Sequence, residues 1–175
     1  MRVLHILNHI QKVGNGIVNV AVDLACLQAQ AGYEVSVISG GGEYETLLAQ
    51  YNVRHFRLNQ TRTWQNLALA ASQYRRIVQQ VKPDIVHAHM MTGAVLARSL
   101  KLWSRYALVA TVHNEFQESA KLMGLADRVI AVSQAVSQSM QQRGIPTHKL
   151  RVVTNGTLAS PRVGSLTDCP PVYLQ

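Results

Sequence analysis

The chain has 175 residues, and 17 Lys and Arg against 9 Asp and Glu give it a formal net charge of +8. With 47% hydrophobic and 15% charged residues, it suits one globular domain with a sizeable core, and disordered or fibrous chains are excluded. The positive charge favours an anionic partner, such as phosphate groups, nucleic acid or an acidic lipid surface.

Strand and helix patterns alternate along the chain. Short runs of β-branched and apolar residues predict strands at residues 2–8, 34–39, 53–58, 84–89, 107–112, 128–132 and 150–153. Apolar residues at helical spacing predict helices at residues 17–31, 64–82, 93–104 and 134–143. Strands separated by helices indicate βαβ units, so we predict an α/β fold with a Rossmann-like parallel sheet and helices on both faces.

The end of the chain has a different character. Residues 160–165 and 167–171 contain the Pro, Gly, Ser and Asp residues that are typical of turns and linkers. We therefore predict a domain over residues 1–157, followed by an interdomain linker or tail over residues 158–175 that leads to a further domain.

The cysteines and apolar stretches indicate a cellular location. Cys26 and Cys169 lie far apart and form no CxxC pair, which fits a reducing compartment. The longest apolar stretches, such as residues 107–112, fall well short of the roughly 20 residues that a membrane helix needs. We predict a cytoplasmic protein.

A glycine-containing turn, Gly14-Asn15-Gly16, joins the first predicted strand to the first helix. A helix N-terminus preceded by glycine suits a phosphate group, because unpaired N–H groups and a partial positive charge meet there. The turn is a poor dinucleotide fingerprint, since Asn19 occupies the third glycine position. From the residues alone, a ligand-binding loop and a simple tight turn both remain open.

Three histidines fall at the ends of predicted strands. His87 and His89 share one face of their strand because side chains alternate, and His113 ends the next strand. A metal site would need a third ligand, and the candidates Glu115 and Glu118 match no zinc spacing. Structural histidines are therefore favoured over a metal site, and we predict no metal.

The other histidines are placed by the same strand pattern. His5 lies inside the first strand and is predicted in the core, and His9 lies at the rim. His55 and His148 are predicted on the surface. A histidine at the carboxyl end of a strand, such as His113, can bond a substrate hydroxyl or phosphate.

Several segments taken together resemble one family. They are Gly14 to Gly16, Ala31 to Val37, Lys82 to His89, Ala110 to Asn114, Ala126 to Ser133, and Lys149 to Gly156. In this order they resemble the N-terminal domain of glycosyltransferase family 4, whose enzymes have the GT-B architecture. The resemblance covers about residues 1–157.

The resemblance implies two Rossmann-like domains that face each other across a cleft. The N-terminal domain would bind the acceptor, and the C-terminal domain would bind a nucleotide-diphosphate sugar as the donor substrate. Transfer would retain the anomeric configuration without a cofactor. The resemblance places Gly14, Asn15 and Gly16 against the donor diphosphate and makes His113 the catalytic candidate at the cleft floor.

The same resemblance suggests an acceptor side for the cleft. The residues expected there are His9, His89, Asn114, Ser133 and Asn155. The acceptor would be a glycan or a lipid-linked sugar of cell-envelope polysaccharide or lipopolysaccharide biosynthesis. The Glu-x7-Glu pattern of the family's C-terminal domain is absent, so we predict that the 175-residue chain alone transfers no sugar.

The basic residues allow two interpretations. Arg98, Lys101 and Arg105 are spaced to share one helical face. They form either an ordinary solvated face or a peripheral docking surface for an anionic membrane. No nucleic-acid module accompanies them, so nucleic acid is not an expected partner.

Two other functions remain open at this point. One is a part of a GT-B-like sugar-nucleotide epimerase, which would require more carboxylates at the cleft than the chain offers. The other is a stand-alone Rossmann-like binding domain without enzymatic activity.

Overall fold

A computed structural model gives the fold and describes residues 1–58, 64–101, 104–114, 118–156 and 160–162. Its strands are β1 (Arg2–Ile6), β2 (Glu34–Ser39), β3 (Arg54–Arg57), β4 (Ile85–Ala88), β5 (Ala107–Val112), β6 (Arg128–Ala131) and β7 (Leu150–Val152). Its α-helices are α1 (Gly16–Gln30), α2 (Glu45–Gln50), α3 (Trp64–Val81), α4 (Met91–Leu100) and α5 (Gln134–Gln142). Short 3-10 helices span Glu118–Leu125 and Thr147–Lys149.

The seven strands form one parallel sheet in the order β3-β2-β1-β4-β5-β6-β7. Strand β1 pairs with β2 on one side and with β4 on the other, so the strand order reverses between β1 and β4. Ligands of open α/β sheets bind at such a switch point, beside the carboxyl ends of the strands. The Rossmann-like α/β fold predicted from the sequence is thereby confirmed.

The sheet has an apolar core on each face. On one face, α1 and α2 pack on residues such as Val35 and Val37. On the other, α3, α4 and α5 pack on residues such as Leu4, Ile6 and Val86. Because side chains alternate along a strand, His5 lies on the α1 face, between Leu4 and Ile6 of the opposite face.

Strand register brings histidines of distant sequence together on the α1 face. His5 on β1 lies opposite His87 on β4, and His87 lies opposite Val109 on β5. His89 immediately follows β4, and its N–H donates to the Ile6 carbonyl. The sheet thus places polar side chains in a row beneath α1 as the strands approach their carboxyl ends.

Two predictions about the basic helix and one about a histidine are wrong. Helix α4 ends at Leu100 and Lys101 forms its C-cap, so Arg105 lies outside the helix and the predicted basic face does not form. Lys101 is instead paired with Asp127. His55 is also not a surface residue, since its side chain is 10% exposed.

A short segment near the end of the described chain returns to α1. Ser160 Oγ donates to Asp23 Oδ2 at 2.8 Å, and Arg162 donates to both oxygens of the same carboxylate at 2.9 Å. Asp23 and Ser160 are buried, so this charged contact is shielded from water. The assignment of residues 158–175 as an interdomain linker stays a prediction.

Within the described ranges, every helix is too short or too polar to cross a lipid bilayer.

Candidate substrate-binding cleft

A cleft of about 390 Å³ opens at the carboxyl ends of β1, β4 and β5. Its walls are the segment after β1, the start of α4, the end of β5 and the following 3-10 helix. The polar lining residues that bear on ligand binding are Asn8, His9, Asn15, His89, His113 and Asn114. The cleft lies at the switch point between β1 and β4, which is the position that the topology favours for a ligand.

The N-terminus of α1 forms one wall through the predicted glycine turn. Asn15 is the N-cap, and its Oδ1 accepts a hydrogen bond from the Ile17 N–H at 3.0 Å. Gly14 has a φ of 68°, which favours glycine, and no atom lies within 4 Å of where a Cβ of Gly14 or Gly16 would be. The backbone here is open to an approaching ligand, and first-turn N–H groups lack intrahelical acceptors.

The N-terminus of α4 also reaches the cleft, a position that the sequence analysis did not predict. Met90 is the N-cap of α4 and offers no side-chain hydrogen bond, and Met90, Met91 and Thr92 line the cleft. The first N–H groups of α4 therefore lack both an intrahelical acceptor and a side-chain cap. A methionine in the cap position, where Ser, Thr, Asp or Asn is usual, was the signal that could have indicated this wall.

Four histidines form a cluster between the cleft and α1. The ring centroids of His87 and His89 are 4.2 Å apart, and those of His89 and His113 are 5.7 Å apart. His5 Nδ1 and His89 Nε2 are hydrogen-bonded at 2.9 Å, and His87 Nε2 is hydrogen-bonded to Thr111 Oγ1 at 2.7 Å. The prediction that His5 lies in the core is confirmed, since it is fully buried.

Burial keeps these imidazoles neutral. It lowers the pKa of His5 and of His113 to about 4. Burial, together with the neighbouring histidines, holds the pKa values of His87 and His89 well below their usual range. At neutral pH the cluster therefore carries no charge, and its rings act as hydrogen-bond donors and acceptors.

Two ring nitrogens of the cluster have no partner among the described residues. They are His89 Nδ1 and His113 Nε2, and both are buried. Buried polar atoms are nearly always hydrogen-bonded, so an unpartnered pair beside a cleft indicates a ligand or water that completes the site. Both histidines line the cleft, which makes them the strongest candidates for contact with a substrate.

The histidine cluster also has the composition of a metal site. One ring nitrogen of each of His5, His87 and His89 lies within 4.8 Å of the others. Nitrogen ligands of a tetrahedral zinc would lie about 3.3 Å apart, whereas His5 and His89 approach to 2.9 Å and share a hydrogen. Glu115 and the side chain of Glu118 lie outside what the structure describes, and the absence of a metal stays a prediction.

Two residues expected on the acceptor side do not line the cleft. Ser133 is the N-cap of α5, and its Oγ accepts a hydrogen bond from the Val136 N–H at 3.1 Å. Asn155 is exposed beyond the end of β7. The other expected residues, namely His9, Asn15, His89, His113 and Asn114, meet around one space, and Gly14 and Gly16 flank Asn15.

A serine, a histidine and a glutamate also meet away from the cleft, at the edge of the sheet. Ser39 Oγ is 2.8 Å from His55 Nε2, and His55 Nδ1 is 3.7 Å from Glu45 Oε2. Ser39 is fully buried and its Oγ accepts from the Gly41 N–H, so the hydroxyl cannot reach a substrate. The arrangement stabilises the loop after β2, and it does not form a hydrolytic site.

Comparison with solved structures finds a similar fold in several larger proteins. HepE from Anabaena, in complex with UDP-glucose, has a TM-score of 0.70 and 21% identity over 90% of this chain and 44% of its own. The lipopolysaccharide outer core galactosyltransferase WaaB has a TM-score of 0.73 and 14% identity over 90% of this chain and 46% of its own. The UDP-N-acetylglucosamine 2-epimerase from Rickettsia bellii is more distant, with a TM-score of 0.57 and 14% identity over 87% of this chain and 44% of its own.

The chain therefore spans less than half the length of each of these proteins. A search of the curated proteins returns no significant match. A family model described as Glycosyltransferase Family 4 matches residues 14–157, which include the open glycine turn, every strand after β1, and three of the four clustered histidines, namely His87, His89 and His113. The chain belongs to glycosyltransferase family 4.

Proposed function

We propose that the chain is the acceptor-binding half of a retaining glycosyltransferase. The whole enzyme would move a sugar from a nucleotide-diphosphate donor to a glycan or lipid-linked acceptor of the cell envelope. One observation carries the proposal: two buried, unpartnered histidine nitrogens, on His89 and His113, belong to residues that line a cleft at the topological switch point. Family membership supplies the class of reaction.

The glycine turn suits the leaving diphosphate. As the bond between sugar and diphosphate breaks, negative charge develops on the diphosphate oxygens. The N-terminus of α1 offers N–H groups and a partial positive charge there, without the cost of reorganising water. The open space at Gly14 and Gly16 lets phosphate oxygens approach the backbone closely.

His113 suits a sugar hydroxyl better than a charged group. Since burial lowers its pKa to about 4, the ring is neutral at physiological pH and has one donor and one acceptor nitrogen. A neutral imidazole can orient a donor sugar near the bond that breaks, and it does not act as a nucleophile. We assign this orienting role to His113, with His9, His89 and Asn114 on the acceptor side.

A titration on this chain tests the role of His113. UDP-glucose is the probe, because HepE has been solved with it. We expect His113→Asn to weaken binding about tenfold, since the sugar loses one hydrogen bond and its partner group stays unpaired. His148→Asn is the matched control because His148 is exposed; equal affinities for the two variants would contradict the proposal.

Sugar transfer should require the donor-binding half as well. We expect the 175-residue chain to bind a sugar nucleotide weakly and to transfer no sugar by itself. Labelled product formed by the purified chain from a UDP-sugar and a glycan acceptor would contradict this expectation.

An epimerase is the second candidate, since the Rickettsia bellii enzyme has a related fold. The described residues that line the cleft include no Asp or Glu, and carboxylates are the groups that such chemistry would need. Incubation of the whole enzyme with UDP-N-acetylglucosamine in the absence of an acceptor distinguishes the two, because only an epimerase would convert it to the epimer.

Peripheral membrane contact is part of the proposal for the whole enzyme in the cytoplasm. Exposed arginines such as Arg76 and Arg98 could meet an anionic bilayer and bring the cleft near a lipid-linked acceptor. Co-sedimentation with vesicles that contain or lack phosphatidylglycerol tests this contact. Equal binding to the two kinds of vesicle would contradict the proposed contact with an anionic membrane.

A further inference from the structure

A buried line of hydrogen bonds connects α1 with the cleft. Gln28 Oε1 on α1 lies 2.8 Å from His5 Nε2, and His5 Nδ1 lies 2.9 Å from His89 Nε2. His5 is fully buried and His89 is 2% exposed. The line ends at His89 Nδ1, which has no partner among the described residues.

With the amide oxygen of Gln28 facing His5, the line has one consistent arrangement of hydrogens. The amide oxygen of Gln28 can only accept, so His5 Nε2 must carry the hydrogen. A neutral imidazole has one N–H, and burial lowers the pKa of His5 to about 4, so His5 Nδ1 is an acceptor. His89 must then donate from Nε2, and its Nδ1 is left with a lone pair.

We infer that Gln28 and His5 are positioning residues that hold His89 as its Nε2–H tautomer, so that His89 Nδ1 accepts a hydrogen bond from a sugar hydroxyl in the cleft. This inference rests on the proposed function, since it names the chemistry that one wall of the same cleft recognises. It adds two residues, one of them on α1, that lie behind the cleft and do not line it.

A hydroxyl group fits this wall better than a phosphate does. A lone pair on His89 repels an anionic oxygen and attracts an O–H. The uncapped N–H groups at the start of α4 begin with Met91, two residues after His89, and they offer donors on the same wall. A hydroxyl both donates and accepts, so it can satisfy both kinds of group.

The other cluster members act as internal comparisons. His87 Nε2 is bonded to Thr111 Oγ1, a hydroxyl that can donate or accept, so its tautomer is not fixed by α1. His113 makes no hydrogen bond to His5 or Gln28, although it also has an unpartnered nitrogen. Of His87, His89 and His113, only His89 is bonded to His5, so only its tautomer should change when Gln28 is replaced.

Nitrogen NMR reads the tautomers directly. In the chain labelled with ¹⁵N-histidine, a long-range ¹H–¹⁵N correlation at neutral pH should assign the hydrogen to Nε2 of both His5 and His89. Gln28→Met should give mixed tautomers at these two residues and leave the His113 signals unchanged. Gln30→Met is the matched control, since Gln30 is exposed on the same helix.

A conservative variant covers the case in which Gln28→Met does not fold. Gln28→Glu keeps an accepting oxygen, so His5 and His89 should keep the Nε2–H tautomers. Wild-type His89 with its hydrogen on Nδ1, or an unchanged tautomer in folded Gln28→Met, would overturn the inference whether or not the chain binds a sugar nucleotide.

Titrations with named probes test the ligand part. Glucose is the hydroxyl-bearing probe of the acceptor side: it should shift His89 Nδ1, inorganic phosphate should not, and Gln28→Met should weaken glucose binding by about five- to tenfold. A shift of His89 Nδ1 with phosphate, or none with glucose, would overturn the hydroxyl assignment. Simultaneous loss of the His5, His87 and His89 signals on adding Zn²⁺ would also overturn it, because the cluster would then be a metal site.

Discussion

Two glycine-containing turns follow neighbouring strands, and they differ in what surrounds them. At Gly14 and Gly16, after β1, no atom lies within 4 Å of an added Cβ. At Gly40, after β2, an added Cβ would lie 2.9 Å from the Asn8 carbonyl oxygen, and at Gly42 it would overlap the Ile10 backbone. The first turn is open and borders the cleft, whereas the second is packed.

The packed turn holds the segment that borders the cleft. The N–H of Gly40 donates to the Asn8 carbonyl at 2.8 Å, and the N–H of Ile10 donates to the Gly41 carbonyl at 3.0 Å. The segment after β1 is thereby fixed by its neighbour, whereas the space where a Cβ of Gly14 would lie stays open. Glycine thus permits close packing in one turn and leaves open space in the other, a difference that only the tertiary structure shows.

The largest expected effect is that of Gly42→Ala. Its φ of 151° and the overlap with Ile10 require the two segments to separate, and we expect a loss of about 4 kcal/mol or more in the free energy of unfolding. Gly14→Ala is the control, with about 1–2 kcal/mol of backbone strain only. Urea denaturation measures both, and a greater loss for Gly14→Ala would reverse the contrast between the turns.

Lowering the pH should destabilise the folded chain through His113, which lines the cleft beside the open turn. The pKa of His113 is lowered from 6.5 to about 4, so between these values the unfolded chain binds the proton more readily than the folded chain. The contribution of neutral His113 to the free energy of unfolding is therefore fully present above about pH 6.5, and it falls as the pH drops towards about 4. The loss for one such histidine is about 3 kcal/mol.

Urea denaturation from about pH 7.5 to about pH 4.5 checks this dependence. His113→Asn should reduce the slope of the free energy of unfolding against pH by about 1.4 kcal/mol per pH unit relative to the native chain. Parallel curves for the two proteins would show that His113 is not buried in its neutral form.

Replacing two helix N-cap residues gives a matched comparison with a smaller expected effect. Asn15 caps α1 at the cleft, and Ser133 caps α5 away from it. Asn15→Ala and Ser133→Ala should each cost about 1 kcal/mol of stability, because one helix N–H loses its acceptor. Only Asn15→Ala should also weaken UDP-glucose binding, and an equal loss of binding for both would place Ser133 at the site after all.

The sequence predicted the sheet well because its strands are short apolar runs with clear ends. Residues 34–39 and 107–112 form β2 and β5 at the predicted bounds. Helix α2 was missed, since six residues after a run of glycines are too few for a helical period to emerge. Arg105 was misplaced because the spacing of charges does not reveal where α4 ends.

The candidate site was predicted only in part. The glycine turn and His113 were identified from their positions at strand ends, and the family resemblance gave them roles. The link from Gln28 to His5 and His89 joins residues 23 and 84 positions apart. Strand register and the packing of α1 bring these residues together, and no local pattern encodes either.

The central claim is that the open turn and the histidines beside it bind a sugar nucleotide. Backbone amide NMR with UDP-glucose, on the native chain and on Gly16→Ala, tests this claim most directly. We predict shifts at Gly14, Asn15, Gly16 and His113 and none at Gly40 or Gly42, with binding lost in a folded Gly16→Ala chain. Unshifted amides at Gly14 and His113, or shifts confined to the packed turn, would contradict the account.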